Sequence, residues 1–150
     1  MKVDLKTIQA LREETGAGVM DVKKALEEAG GDIKKAKEIL RQKGMEKAAK
    51  RKDRETNEGY VGVYQHHDGK SVGVVVLLSE TDFVARNEKF HQLAYDLAMQ
   101  VCSMQPKDID ELLESNFVKQ PSLKVKEVID QAIATLGENI KVGQIGYFRV

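Results

Sequence analysis

Several features are scarce or absent in this chain of 150 residues, and each absence excludes a class of protein. Its one cysteine, Cys102, excludes an internal disulfide and suits a reducing compartment. No apolar run reaches the roughly 20 residues that a membrane helix needs, and the N-terminus, which carries acids and a helical period early, fits neither a signal nor a transit peptide. Lysine plus arginine equal aspartate plus glutamate at 24 each, so no overall field favours nucleic acid or an anionic membrane. We therefore expect a cytoplasmic protein without direct nucleic-acid or membrane partners.

The first 44 residues predict three short amphipathic helices joined by glycine turns. Asp4 is available as the N-cap of the first helix, and Gly16 can take the left-handed conformation that ends it. Asp32 can cap the third helix, which we expect to end near Gly44. Short amphipathic helices bury their apolar stripes only against one another, so a small bundle is expected. The residues predicted to face inward are Leu5, Ile8, Leu11, Val19, Val22, Leu26, Ala29, Ile33, Ala36 and Leu40.

The period of the sequence changes after a charged stretch at residues 45–58, MEKAAKRKDRETNE, which indicates a linker or an exposed helix. The runs GYVGVYQ and KSVGVVVLLS favour strands, and the HHDG between them is typical of a hairpin turn. Gly62 and Gly73 inside these strands indicate the close approach of another chain segment. The predicted hairpin thus begins a second module.

The remaining elements complete an α+β fold. We expect a helix from about Glu88 to Met104, a shorter helix at residues 108–115, a helix opening at Pro121-Ser122 and stopping at Gly137, and a final strand, IKVGQIGYFRV. The predicted architecture is a three-helix bundle at residues 1–44, a charged linker at 45–58, and a core at 59–150 in which helices cover a small antiparallel sheet.

No catalytic motif is present, and nothing in the sequence favours an enzyme, a cofactor or a resident metal. His66, His67 and Asp68 could be a metal site, but an exposed polar turn is the favoured interpretation because no further ligand lies nearby in the sequence. Cys102 borders an apolar stripe, so a core role is favoured over a redox or intersubunit role.

Residues 41–54 carry many basic side chains, which raises the alternative of an RNA-binding accessory protein. Binding to single-stranded nucleic acid uses aromatic side chains on which bases stack, and this stretch contains none. A solvated connector is therefore favoured, with contact to the ribosome or another acidic partner as the alternative.

The stretch SETDFVARN, residues 79–87, places the large apolar Phe83 where a strand ends and a polar loop is expected. Thr81 and Asp82 interrupt the alternation of the preceding strand, and the charge of Asp82 beside a buried Phe83 would need a partner. Phe83 either packs beneath the next helix or is offered to another protein. The pattern alone leaves both possibilities open.

Three stretches resemble one known family. Residues 11–41, LREETGAGVMDVKKALEEAGGDIKKAKEILR, resemble the N-terminal module of elongation factor Ts, the nucleotide-exchange partner of elongation factor Tu. ETDFVARN at 80–87 is similar to a diagnostic motif of the family's core, and GENIKVGQIGYFRV at 137–150 resembles its C-terminal strand. The family usually has asparagine in place of Leu78, and this chain has no room for the second core half or the coiled coil of longer members.

The resemblance implies a ubiquitin-associated-like bundle, a linker and an α+β core, acting as an exchange factor on GDP-bound and nucleotide-free elongation factor Tu. It implies that Thr81, Asp82, Phe83 and Val84 insert into the partner's GTPase domain near its bound magnesium, with Phe83 as the apolar wedge. The contacts that it implies for the bundle are Thr15, Gly16, Ala17, Gly18, Val19, Met20, Lys23, Lys24 and Leu26.

A chain with one core half could form a homodimer through the exposed face of its sheet, as short members of the family can, and Cys102 could lie near that seam. The main alternative function is a peptide- or protein-binding module without exchange activity, because a three-helix bundle of this type has that shape. Such a module would account for residues 1–44 and leave the core unexplained.

Overall fold

The computed structural model describes residues 2–150, which form seven helices and three strands. In chain order these are α1 (Leu5–Thr15), α2 (Val19–Glu28), α3 (Ile33–Arg51), β1 (Glu58–Gln65), β2 (Ser71–Ser79), α4 (Asp82–Ala85), α5 (Glu88–Met104), α6 (Ile109–Glu114), α7 (Val125–Leu136) and β3 (Lys141–Arg149). The predicted α+β class is confirmed. No helix of residues 2–150 has both the length and the apolar character needed to cross a membrane.

The chain divides into two compact units. The first comprises the chain up to Lys52 together with Asp130–Gly137, and the second comprises Asp53–Ile129 and Glu138–Val150. The division falls within α7, whose two parts belong to different units. The domain boundaries predicted at residues 44 and 58 stay predictions, because compactness alone does not define a domain.

Helix α1 begins and ends at its predicted capping residues, and α3 begins at its predicted one. The carboxylate of Asp4 accepts a hydrogen bond from the backbone N–H of Lys6 at 3.3 Å, and that of Asp32 accepts one from Lys35 at 3.2 Å. Gly16 ends α1 with a φ of 70°, a conformation that costs glycine little. The apolar cluster beneath these helices consists of Ile8, Leu11, Val22, Ala25, Leu26, Ala36 and Leu40.

Three residues predicted to face inward are exposed instead. Leu5, Val19 and Ile33 are 80%, 45% and 46% exposed, and each is the first residue of its helix. Cα–Cβ bonds point toward the N-terminus of a helix, so a side chain on the first residue projects beyond the turn that packs on the core. The periodicity located the buried face correctly but could not show where the core stops along the helix.

The prediction that the third helix ends near Gly44 is wrong, because α3 continues to Arg51. Gly44 is buried, and a Cβ built there would lie 3.9 Å from the Cβ of Ala134 in the same unit. The glycine therefore permits close packing inside the helix rather than ending it. Residues 45–51 are mostly methionine, glutamate, lysine and alanine, which all favour helix.

The second unit contains one antiparallel sheet with the order β1-β2-β3. Val75 and Leu77 of β2 are fully buried beneath α5, which packs on that face of the sheet. Gly62 and Gly73 permit this approach, because a Cβ at either position would collide with the carbonyl oxygen of Ala94 or Ala98 on α5. The predicted close approach at these glycines is confirmed.

Helix α7 begins at Val125 rather than at the predicted Pro121-Ser122. The backbone N–H of Phe117 donates to the carbonyl of Leu123 at 2.8 Å, and Asn116 pairs with Lys124 in an isolated antiparallel bridge. These backbone groups are already engaged before the helix starts. The helix therefore begins only after the bridge.

Candidate partner-binding site

Phe83 projects from the surface on a very short helix. Strand β2 ends at Ser79, and α4 begins at Asp82 after Thr81, whose hydroxyl accepts a hydrogen bond from the backbone N–H of Val84 at 3.4 Å. The side chain of Phe83 is 82% exposed, whereas Ala85 is 7% exposed and packs α4 against the rest of its unit. Of the two possibilities left open by the sequence, burial of Phe83 in this protein's own core is excluded.

The charge of Asp82 has a partner within the same turn of chain. Its carboxylate lies 3.1 Å from the guanidinium of Arg86, and both side chains are largely exposed. An exposed pair of this kind contributes about 0–1 kcal/mol to stability. Asp82 therefore needs no buried counter-charge, and α4 is not held in place by this ion pair.

Two further side chains hold the ends of α4, and the sequence assigned neither of them a role. At the start, the carboxylate of Glu138 accepts hydrogen bonds from the backbone N–H of Thr81 at 3.0 Å and from its hydroxyl at 2.6 Å. At the end, the Nε2 atom of His91 lies 2.8 Å from the carbonyl oxygen of Ala85. A carbonyl oxygen only accepts, so this Nε2 carries the proton and donates it.

The ring of His91 is fixed by an aromatic neighbour on the sheet. It stacks on Tyr60 of β1 with ring centroids 3.8 Å apart and an angle of 19° between the planes. No local pattern in the sequence pairs Tyr60 with His91 or Thr81 with Glu138, because the partners of each pair lie far apart along the chain. The family resemblance covers Glu138 within GENI but implies no role for it.

The predicted contact residues of the first unit differ in burial: Thr15, Gly16 and Ala17 are half-buried, Leu26 is buried, and the others are exposed. Thr15 is the last residue of α1, where its hydroxyl donates to the carbonyl of Leu11 at 2.6 Å, and Gly16 to Gly18 form the turn to α2. Val19 and Met20 are 45% and 61% exposed at the start of α2, and the side chains of Lys23 and Lys24 are exposed too. Leu26 is 1% exposed, so its predicted contact with a partner is corrected: its side chain packs in the bundle core.

Most of the basic side chains at residues 41–54 have partners inside their own unit. In the first unit, Lys43 pairs with Glu28 at 3.7 Å, Lys47 with Asp21 at 2.8 Å, and Arg51 donates to the carbonyl of Ile133 at 3.0 Å. The hydrogen bond from Lys47 lowers the pKa of Asp21 below its ordinary value. These contacts favour a structural role for the stretch over the binding of nucleic acid.

The second unit leaves one face of its sheet uncovered. Val61 and Val63 of β1 are each 51% exposed and pair across the sheet with Val76 and Val74 of β2. Phe148 of β3 is 66% exposed and pairs with Val72 on the other side of β2. We call these residues, together with Leu78, the open sheet face; its members are Val61, Val63, Val72, Val74, Val76, Leu78 and Phe148.

The remaining residues raised by the sequence form no chemical site. Across residues 2–150, no three histidine, cysteine, aspartate or glutamate side chains come together as a group that could hold a metal ion. Cys102 is 7% exposed and lies 3.6 Å from the hydroxyl of Ser71, on the covered side of the sheet. The expectation that Cys102 could lie near a seam on the open sheet face is therefore wrong.

Comparison with known proteins supports one family. The family model described as Elongation factor TS matches residues 80–150, which include α4 and Glu138. A curated relative from Herpetosiphon aurantiacus named Elongation factor Ts is 35% identical over an alignment that spans this whole chain and 98% of the relative. One from Petrotoga mobilis with the same name is 40% identical over all of this chain and 99% of its own length.

The alignments also show a difference in length. The one with the Herpetosiphon relative extends over 195 residues, against 150 in this chain, so that relative carries additional residues that this chain lacks. A relative from Aquifex aeolicus, again named Elongation factor Ts, is 44% identical over 96% of this chain and 51% of the relative. The identity and coverage of the first two relatives suffice to place the chain: it belongs to the elongation factor Ts family, whose members act in nucleotide exchange during translation elongation.

Proposed function

We propose that this protein accelerates the release of GDP from elongation factor Tu by inserting Thr81–Val84 into the partner's GTPase domain near its magnesium ion. The observation that carries the proposal is the 82% exposure of Phe83 on a short helix that is anchored at both ends. A side chain of this size is strongly favoured in an apolar pocket over water. In the free protein the ring of Phe83 is exposed to water, and an apolar pocket on a partner can bury it.

The chemistry requires no covalent step and no cofactor. A protein that binds best to the nucleotide-free form of its partner weakens nucleotide binding by the factor by which nucleotide weakens its own binding. Displacement of the magnesium ion removes the charge that neutralises the phosphates of GDP. The protein therefore binds both GDP-bound and nucleotide-free elongation factor Tu, and this role in translation places it in the cytoplasm.

The exposed residues of the first unit supply a second contact with the same partner. Val19 and Met20 form a small apolar patch beside Lys23 and Lys24, and the turn at Thr15–Gly18 lies next to it. We propose that these residues hold the GTPase domain while Phe83 enters it. Leu26 contributes only by keeping α2 in place.

Release of a fluorescent GDP from elongation factor Tu tests this function. Phe83→Ala should lower the second-order rate of release about thirtyfold, because loss of a buried aromatic anchor costs about 2 kcal/mol or more. Met20→Ala should raise the concentration needed for half-maximal release. Leu5→Ala is the matched control, since Leu5 is 80% exposed and lies outside the proposed contacts.

An unaltered rate for a folded Phe83→Ala variant would refute the role of Phe83. If the wild-type protein itself gave no acceleration, the exchange function would be refuted. The alternative of a peptide- or protein-binding module would then be preferred, with the first unit as its binding part.

We further propose that two copies associate through the open sheet face. The observation that favours a second copy is that seven apolar side chains share this face of a three-stranded sheet, with valine paired to valine across β1 and β2. The exposed polar residues Gln65, Lys141 and Gln144 pair with members of the face and lie beside them. Two such faces, packed sheet against sheet, would remove these side chains from water in the manner of a β-sandwich core.

Light scattering in solution tests the association. The wild-type protein should have the mass of a dimer at tens of micromolar, and Val63→Lys should have the mass of a monomer because the charge would be buried without a partner. Val118→Lys is the control, since Val118 is 45% exposed in the same unit but lies outside the sheet. A monomeric wild-type protein would refute this proposal.

A further inference from the structure

We propose that Glu138 is a positioning residue that fixes α4, and with it Phe83, before the partner binds. The inference rests on the proposed exchange function for its consequence, but its structural part can be tested without that function. Glu138 lies between α7 and β3, far from Thr81 in the sequence, and both residues belong to the second unit.

Both carboxylate oxygens of Glu138 are occupied by Thr81. Oε1 accepts from the backbone N–H at 3.0 Å, and Oε2 accepts from the hydroxyl at 2.6 Å. Hydrogen bonds to an ionised acceptor are roughly twice as strong as those between neutral groups. With two such bonds to one residue, Thr81 can neither rotate about its side chain nor swing its backbone without breaking one.

The hydroxyl of Thr81 links Glu138 to the first turn of α4. It donates to Glu138 and accepts from the backbone N–H of Val84, so one hydroxyl joins the carboxylate to the first turn of α4. A hydroxyl that donates to a carboxylate becomes a better acceptor, because successive hydrogen bonds polarise one another. Glu138 thereby strengthens the cap of a helix that has only four residues.

A second set of bonds holds Glu138 in place. The backbone N–H of Asn139 donates to the carboxylate of Glu80 at 2.7 Å, so each of the two segments holds the other's backbone with a glutamate. The amide of Asn139, which is 2% exposed, donates to the carbonyl of Arg54 at 2.8 Å.

Thr81 is held by a further bond. Ser79, with no exposed surface, donates to the carbonyl of Thr81 at 2.9 Å. Thr81 is consequently fixed at its N–H, its carbonyl and its hydroxyl.

This arrangement matters because α4 cannot maintain its own shape. A single helical turn is unstable in water without outside contacts, and Phe83 contributes little in the free protein because it is 82% exposed. If Glu138 were lost, the segment would sample other conformations and would have to be ordered during binding. Prior ordering of a binding element raises affinity by removing that cost.

Fluorine NMR of protein labelled with fluorophenylalanine tests the structural part directly. The chain has four phenylalanines, and two of them, Phe90 and Phe117, are 0% and 6% exposed and serve as internal controls. In Glu138→Ala the resonance of Phe83 should shift and narrow toward that of a free chain, while those of Phe90 and Phe117 stay in place. Glu114→Ala is the matched control, because Glu114 also binds two partners, Lys124 and Lys126, with its carboxylate.

Kinetics of GDP release test the functional part. Glu138→Ala should raise the half-saturating concentration of GDP-bound elongation factor Tu about tenfold. The maximal rate of GDP release should change little, because the partner orders α4 once it is bound. In half-saturating concentration Glu138→Gln should fall between the wild type and Glu138→Ala, since its amide oxygen can accept from the N–H of Thr81 but its NH₂ cannot accept from the hydroxyl. With this protein in catalytic amounts and GDP-bound elongation factor Tu varied, a defect confined to the fold would lower the maximal rate and leave the half-saturating concentration of elongation factor Tu unchanged.

The results separate this inference from the exchange function. An unchanged Phe83 resonance in Glu138→Ala would overturn the role of Glu138, whatever the kinetics. A wild-type protein that releases no GDP would overturn the exchange function, while the fluorine spectra would still decide whether Glu138 orders α4. If Phe90 also moved in Glu138→Ala, the comparison of Thr81→Ser with Thr81→Val would decide, since only serine keeps the hydroxyl; equal Phe83 spectra in these two variants would overturn the proposal.

Discussion

Helices α4 and α5 follow one another in the chain, yet they are held in opposite ways. Helix α5 has seventeen residues and packs its apolar stripe under the sheet, with Phe90 fully buried. Helix α4 has four residues, exposes Phe83, and is held by hydrogen bonds to Thr81 and Ala85. When hydrogen bonds to the backbone hold a helix, its apolar side chain can remain exposed and bind another molecule. When apolar packing holds the helix, that side chain is buried in the protein's own core. The difference shows how a stable fold can present a large apolar group.

The largest expected effect is the contrast between the two phenylalanines in stability. Phe90→Ala should lower the free energy of unfolding by about 3–5 kcal/mol, because it opens a cavity in a closely packed core. Phe83→Ala should change it by about 0.5 kcal/mol or less, as is usual for an exposed position. Urea unfolding measures both. A large loss of stability in Phe83→Ala would show that its ring packs on its own protein, as the ring of Phe90 does.

The residues that could be predicted from the sequence are those with a local pattern. The stripe of α5, the caps Asp4 and Asp32, the turn at Gly16 and the close approach at Gly62 each follow from a few neighbouring residues. The direction of Phe83 could not be predicted, because a four-residue helix is too short to show a period. The contact between Glu138 and Thr81 could not be predicted, because the two residues lie far apart in the sequence and a single glutamate after a helix indicates no partner.

A smaller effect is expected from the anchor that joins the two helices. His91 lies on α5 and donates to the last carbonyl of α4, so His91→Phe should keep the stack on Tyr60 and lose only the hydrogen bond. The carbonyl of Ala85 would then lack this donor, at a cost of about 1 kcal/mol in unfolding free energy. Urea unfolding checks this value against His67→Phe, in which an exposed histidine of the hairpin turn is changed and no loss is expected. Equal stabilities of the two variants would mean that the bond to Ala85 does not hold α4.

The smallest effect concerns polar contacts that hold no backbone, such as the pair between Lys47 and Asp21 on the first unit. Their side chains are 40% and 37% exposed, so solvent screens the pair and it should contribute about 0.5 kcal/mol or less. The hydrogen bond from Lys47 lowers the pKa of Asp21 from its ordinary 3.8. A carboxyl group with a lowered pKa in the folded state stabilises the fold above its unfolded pKa and loses that contribution as the pH falls through the folded value.

The difference in unfolding free energy between the wild type and Lys47→Met should accordingly be constant near neutral pH and shrink below about pH 3.8. Urea unfolding from pH 7 to pH 2.5 measures it, with Lys50→Met on the same helix as the control for loss of one exposed charge. A difference that grew as the pH fell would have the wrong sign for an ionised Asp21. A difference in unfolding free energy as large as the loss in His91→Phe would show that an exposed ion pair can contribute as much as a hydrogen bond to the backbone. Exposed pairs and the anchors of α4 would then not differ in strength.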